Sequence, residues 1–169
     1  MGQAGILSAR DRVELINGEI LIKPMMGPPH CASVDRVSLA MHRASDNHNI
    51  VRTQGAVRLD EWSEPEPDVV LLRPKDDFYA SKHPVPSDIL LIVEVADSSL
   101  KFDAGTKARL YAETGIPEYW IVDIPNDCLH VYSDVHEEAY RTNRQFRRGD
   151  TISPMLLPAC SLVIDTLLP

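Results

Sequence analysis

The run Ile89-Leu90-Leu91-Ile92-Val93-Glu94-Val95 constrains the fold more than any other segment. It is far shorter than the roughly 20 apolar residues that cross a bilayer. A run this length with no polar alternation suits a central strand covered on both faces. The flanking segments must then supply cover on each side. A helix is expected over 101–114, closed by Gly115 and Pro117. A strand follows at 119–123. Strand, helix and strand in that order imply a right-handed crossover between neighbouring parallel strands.

Upstream, Val13-Glu14-Leu15-Ile16 and Glu19-Ile20-Leu21-Ile22 flank Asn17-Gly18, a pair that tolerates the positive φ angles of a two-residue turn. This predicts a β-hairpin. Gly27, Pro28 and Pro29 end that unit, and Val34, Val37, Met41 and Ala44 recur at helical spacing, which predicts a helix over 30–47. Strands are expected at 50–59 and 68–72, joined through Glu64-Pro65-Glu66-Pro67, where each proline restricts the residue before it. Residues 73–88 read as a long loop. After Asp123 comes a turn at Pro125-Asn126-Asp127, a strand at 129–132, then shorter strands and a tail. The expected architecture is α/β, a mixed sheet flanked by helices with an N-terminal hairpin. It is expected as one domain over 1–169, with 1–11 as a short extension and no internal repeat.

No secretory signal or myristoylation pattern is evident at Met1-Gly2-Gln3-Ala4-Gly5-Ile6, and no segment is suited to a membrane. Cys31, Cys128 and Cys160 are odd in number and form no CxxC pair, so they are expected to be packed and reduced in a cytoplasmic setting. The net charge of −8 argues against nucleic acid as a partner, because a phosphate-gripping protein usually carries a basic patch. Arg141, Arg144, Arg147 and Arg148 are the best local candidates for such a patch. The alternative is a solvated edge hairpin whose charges block aggregation.

Two carboxylates occupy awkward places. Glu94 lies within the most apolar strand, where a charge is costly unless paired. Asp68 opens a strand after Pro67, also beside apolar neighbours. On a shared face they would form an oxygen-rich site suited to Mg²⁺ or Mn²⁺; otherwise Asp68 caps a turn and Glu94 meets a structural arginine. At about 100° per residue, Asp103, Ala104, Lys107, Ala108, Leu110, Tyr111 and Ala112 share one side of the helix that follows. Gly105, Thr106, Arg109 and Glu113 take the solvated side. Lys107 therefore faces inward and needs an anion. Asp103 could supply it by i,i+4 pairing, and a lysine beside two strand-borne acids is also what metal-assisted phosphodiester cleavage requires.

Several of these motifs occur in an order that resembles the Uma2 family. They are Glu64-Pro65-Glu66-Pro67-Asp68, Glu94-Val95-Ala96-Asp97-Ser98-Ser99, then Asp103, Lys107 and Tyr111, and Gly115-Ile116-Pro117-Glu118-Tyr119-Trp120-Ile121-Val122-Asp123. The hairpin around Asn17-Gly18 and the helix entrance Gly27-Pro28-Pro29-His30 match as well, so the likeness runs from about Arg12 to the C-terminus. Family members usually carry a further helical stretch before the hairpin, so the start at Met1 is expected to be shortened or mis-assigned. The resemblance implies a restriction-endonuclease-like PD-(D/E)xK core and a metal-dependent endodeoxyribonuclease. In the wider superfamily the lysine lies two residues after the acid, but that position here is Ala96. The resemblance implies that Lys107 replaces it as the catalytic group, with Asp68 and Glu94 as metal ligands.

Supporting positions are expected at Glu19, His30, Gln54, Asp103 and Tyr111, with Glu19 preferred over Glu14 on the hairpin. DNA is the expected substrate, and a homodimer is expected because many nucleases cut two strands with paired sites. A catalytically silent binding or scaffold module of the same fold is the rival, favoured by the acidic charge and Ala96. A hydrolase acting on a smaller phosphodiester is a third reading.

Overall fold

The computed structural model describes residues 12–45 and 48–169. The expected extension at 1–11 and the expected helix end at 46–47 lie outside the described residues. The centre is a six-stranded mixed sheet in the order β3-β4-β5-β6-β7-β8. These strands are β3 (Ile50–Thr53), β4 (Val69–Leu72), β5 (Ile89–Ala96), β6 (Glu118–Asp123), β7 (Cys128–His136) and β8 (Ala139–Arg147). Every residue of β5 is buried, as its unbroken apolar run requires. It pairs antiparallel with β4 and parallel with β6. The expected crossover between neighbouring parallel strands is therefore present.

Side chains alternate across the sheet, and this sorts the core into two layers. Leu91, Val93 and Val95 share one layer with Trp120, Val122 and Leu129, covered by Val34, Val37 and Met41 of α1 (Pro28–Ala44). Ile92 and Ala96 share the other with Tyr119 and Ile121, covered by Leu110, Tyr111 and Ile116. Glu94 falls between Ile92 and Ala96 and so faces this second layer. The same alternation that buries the seven apolar residues of β5 forces one carboxylate inward.

The crossover helix is continuous but irregular. It runs as α2 (Leu100–Phe102), a π-helical turn over Asp103–Lys107, and α3 (Ala108–Glu113). Asp103, Lys107, Leu110 and Tyr111 are buried, as the helical periodicity predicts. The widened turn was not legible from that periodicity; Ala108 N–H reaches Asp103 O, five residues back. Gly115 then ends the helix at φ 78°, in the left-handed region.

The N-terminal hairpin forms as expected from β1 (Val13–Ile16) and β2 (Glu19–Ile22), with positive φ at both Asn17 and Gly18. Its bridge from Leu15 to Glu64 attaches it beside the segment leading to Asp68. A small pair, β9 (Thr151–Ile152) and β10 (Leu162–Val163), lies near the C-terminus.

Four expectations change. Of the three cysteines expected to be packed, Cys128 and Cys160 are buried but Cys31, in α1, is exposed. The strand expected at 50–59 ends at Thr53, because Gln54 takes φ 48° and leaves the ladder. Val57 and Leu59 N–H instead bond Pro65 O and Ser63 O in a loop of their own. Asp68 does not open β4 but sits at the bend before it, with its carbonyl accepting from Gln54 N–H. The expected short strands beyond Asp123 are mainly a long hairpin, β7 and β8, of nine residues each. Its partly exposed, polar faces hide the strand pattern that a covered strand shows openly.

Gly115 gives a direct test of the helix stop. A Cβ there would meet nothing within 4 Å, so only the positive φ opposes it. Gly115→Ala is expected to lower unfolding free energy by about 1 kcal/mol, with an unchanged denaturant slope in chemical unfolding.

Candidate active site

Asp68, Glu94 and Lys107 line one cavity of about 400 Å³ between the hairpin, β5 and the crossover helix. Each comes from a different element, and each is held by the local fold. Glu94 Oε1 accepts hydrogen bonds from Lys107 Nζ at 2.9 Å and Tyr111 Oη at 2.8 Å. Its Oε2 makes no hydrogen bond among the described residues. Asp68 Oδ2 accepts from the Val95 N–H at 2.8 Å, which ties the bend to β5. Asp68 Oδ1 lies 3.1 Å from His30 Nε2 at the start of α1.

Lys107 has a second partner, Glu14 Oε1 on β1, at 3.3 Å. Glu14 Oε2 accepts from the Glu66 N–H, so the hairpin acid is itself anchored. Asp103 is buried at the cavity wall but bonds Ser99 Oγ rather than Lys107. The expected i,i+4 ion pair is therefore replaced by pairs to Glu94 and Glu14. The π-helical turn between the two residues removes the regular spacing on which that pair depends.

The electrostatics follow from burial. Desolvation pushes Glu94 up to about 7; Lys107 pulls against this, while Asp68, Asp103 and Glu14 add to it. Burial would lower the Lys107 ammonium, but Glu94, Glu14 and Asp103 outweigh it and keep it charged. Burial also raises Asp103, opposed by Lys107 and Ser99. At Asp68 burial is overcome by the His30 hydrogen bond and charge and by the Val95 amide, so its carboxyl is lowered. His30 is raised, chiefly by its bond to Asp68. Tyr111 is raised by burial and by Glu94, so it stays a hydrogen-bond donor.

The structure brings together Asp68, Glu94, Lys107, His30, Asp103 and Tyr111. It does not bring Glu19 or Gln54 to them. Glu19 pairs with Ile16 at the turn end of the hairpin and is exposed. Glu14 sits on the same face as Glu19, nearer the cavity, and takes the place expected of it. The choice depends on how far along the hairpin the site lies, which spacing alone does not say. Gln54 is exposed and donates to Met26 Sδ. The four arginines lie along or just beyond β8, an edge strand. Arg144 pairs with Val131 and Arg147 with Cys128, three positions apart along the strand, and Arg148 is bound to Asp127. They therefore divide between the two sheet faces.

A family model described as "Putative restriction endonuclease" matches residues 6–165. The chain belongs to the Uma2 family. Among solved structures, it is similar to "a putative nuclease belonging to DUF820 from Anabaena variabilis ATCC 29413", with a TM-score of 0.73 and 16% identity. That match covers 98% of this chain and 94% of the other, so the described residues of this Uma2 protein share its fold. No functionally curated protein matches the sequence. Among the described residues no helix is long and apolar enough to cross a membrane.

The His30–Asp68 pair has a pH signature. The raised His30 contributes stability below its ordinary value of 6.5, and this is lost as pH rises through its higher folded value. The lowered Asp68 contributes above 3.8, and this is lost as pH falls through its folded value. His30→Ala is expected to cost about 1–2 kcal/mol near pH 6. Urea unfolding in EDTA should show that gap narrowing by pH 8.5; an equal gap at both pH values would contradict the assignment.

Proposed function

We propose that this Uma2 protein is a Mg²⁺- or Mn²⁺-dependent endonuclease acting on DNA, with Asp68 and Glu94 as metal ligands and Lys107 as the catalytic cation. The observation that carries this is the placement of Lys107 Nζ 2.9 Å from Glu94 in the cavity that Asp68 also lines. The donor set fits a hard cation, since both acids offer oxygen and Glu94 Oε2 has no hydrogen bond among the described residues. A bound divalent ion would neutralise the scissile phosphate and lower the pKa of a water.

The chain's own residues divide the remaining work. Lys107 orients the attacking water and stabilises charge developing on the phosphate. Tyr111 holds Glu94 through Oε1 and leaves the second oxygen unclaimed. His30 and the Val95 amide fix both oxygens of Asp68. Glu14 holds Lys107 from the hairpin and, with Glu94, keeps its ammonium charged. Arg12 and Lys23 also line the cavity and are suited to flanking phosphates. Ala96 then needs no lysine, because a helix-borne ammonium occupies the same role.

Two observations favour a second reading, a nuclease-fold module that binds without cutting. The net charge is −8 and the β8 arginines form no single patch. Both readings are separated by incubating supercoiled plasmid and single-stranded DNA with Mg²⁺ or Mn²⁺. The nuclease reading expects cleavage that EDTA abolishes and that falls by roughly 10²-fold or more in Lys107→Ala. Thermal melting would confirm that the variant folds, since it leaves two buried acids without their cation. No cleavage by wild type, with no heat of Mn²⁺ binding, would support the silent module. Paired sites for cutting both strands would also make the protein a dimer in sedimentation at micromolar concentration.

A further inference from the structure

A second cluster of metal-ligating side chains lies outside this cavity, at the β6–β7 turn. Asp123 ends β6, and Cys128 and His130 begin β7. Asp123 pairs with Cys128 across the antiparallel ladder, and His130 lies two residues further on, so all three share one sheet face. Asp123 Oδ2 is 3.1 Å from His130 Nε2, Cys128 Sγ is 3.6 Å from the same nitrogen, and Cys128 Sγ is 3.9 Å from Asp123 Oδ2. Ideal tetrahedral zinc, with its usual bond lengths, would separate such atoms by about 3.4, 3.6 and 3.6 Å respectively. The three atoms therefore already stand near the corners of one tetrahedral face.

The surroundings hold these ligands in place. Asn126 donates to Asp123 through its backbone N–H at 3.2 Å and its side-chain amide at 2.8 Å. Gln145 Nε2 donates to Cys128 Sγ at 3.0 Å, while its Oε1 accepts from Arg147. That arrangement presents a donor to the sulfur, which suits a thiolate. Cys128 and Asp123 are buried, whereas the His130 side chain is 19% exposed, so an ion can enter from that side. Among the described residues this is the only group of three such ligand atoms within 4.8 Å of one another.

We propose that Asp123, Cys128 and His130 form a zinc site, distinct from the all-oxygen site at Asp68 and Glu94. A thiolate and an imidazole beside a carboxylate select a borderline-soft tetrahedral ion over Mg²⁺. With three protein ligands, the fourth position falls to solvent on the His130 side. Zinc there would cross-link the end of β6 to β7, whose turn is otherwise closed mainly by Asp123 and Asn126. Binding would displace the thiol proton and the His130–Asp123 hydrogen bond.

The test uses Co²⁺ and Zn²⁺ as probes on the full chain. One equivalent of Co²⁺ should give intense tetrahedral visible bands and a near-ultraviolet thiolate-to-cobalt band, both removed by Zn²⁺ and neither by excess Mg²⁺. Cys128→Ser should abolish the charge-transfer band although Cys31 and Cys160 remain. Because Cys128 is fully buried, His130→Ala at the partly exposed ligand is the second variant and should abolish the tetrahedral bands. Asn126→Ala should weaken Zn²⁺ binding about 10-fold. An Asp68→Asn, Glu94→Gln double variant should leave the cobalt spectrum intact, whatever the outcome for DNA cleavage. No charge-transfer band in wild type, or bands that survive in both Cys128→Ser and His130→Ala, would overturn the proposal and leave an ion pair and turn anchor only.

Discussion

A lysine ammonium buried beneath a sheet is sustainable only if anions meet it there, and the arrangement around Lys107 depends on that requirement. Two carboxylates from different elements do so, Glu94 from the central strand and Glu14 from the N-terminal hairpin. Removing one partner of such a pair generally costs about 3–5 kcal/mol, because it strands a buried charge. The pair therefore does more than join two residues. It draws the hairpin, the central strand and the crossover helix to one point, and the cavity is the space left among them.

The same burial gives the cavity its chemical character. Glu94 is pushed toward neutrality by desolvation and by its acidic neighbours, while Lys107 pulls it back. Asp68 shares the cavity but goes the other way, because His30 and a backbone amide both favour its charged form. Two carboxylates thus enter one cavity with opposite tendencies, set by burial and by their partners rather than by residue type. His30 matters for this reason, while Tyr111 holds Glu94 in place through its hydrogen bond to Oε1.

The cavity and the β6–β7 turn also contrast in ligand chemistry. One offers oxygen atoms beside a buried cation, the other sulfur, nitrogen and oxygen anchored by amides. Both lie on the sheet face toward which Glu94 points, since Ala96 and Asp123 are neighbours in the parallel ladder. The crossover between β5 and β6 therefore serves both, by carrying Lys107 to one and setting the register of Asp123 at the other.

Periodicity and composition were enough to recover the central strand, the inward face of the crossover helix, the Asn17-Gly18 hairpin and the α/β architecture. Each of these is a local property: an apolar run, a 3.6-residue repeat or a turn dipeptide carries its own physical signal. Asp68, Glu94 and Lys107 were legible for a related reason, since a charge among apolar neighbours is conspicuous wherever the chain later goes. What tertiary structure alone decided was pairing. Glu14 rather than Glu19 reaches Lys107 because of how far along the hairpin the cavity lies, and Asp103 turns to Ser99 because of a π-helical turn. Asp123, Cys128 and His130 meet because of an antiparallel register across the β6–β7 turn. Distances between residues remote in sequence are set by packing of the whole chain, and no local pattern encodes them.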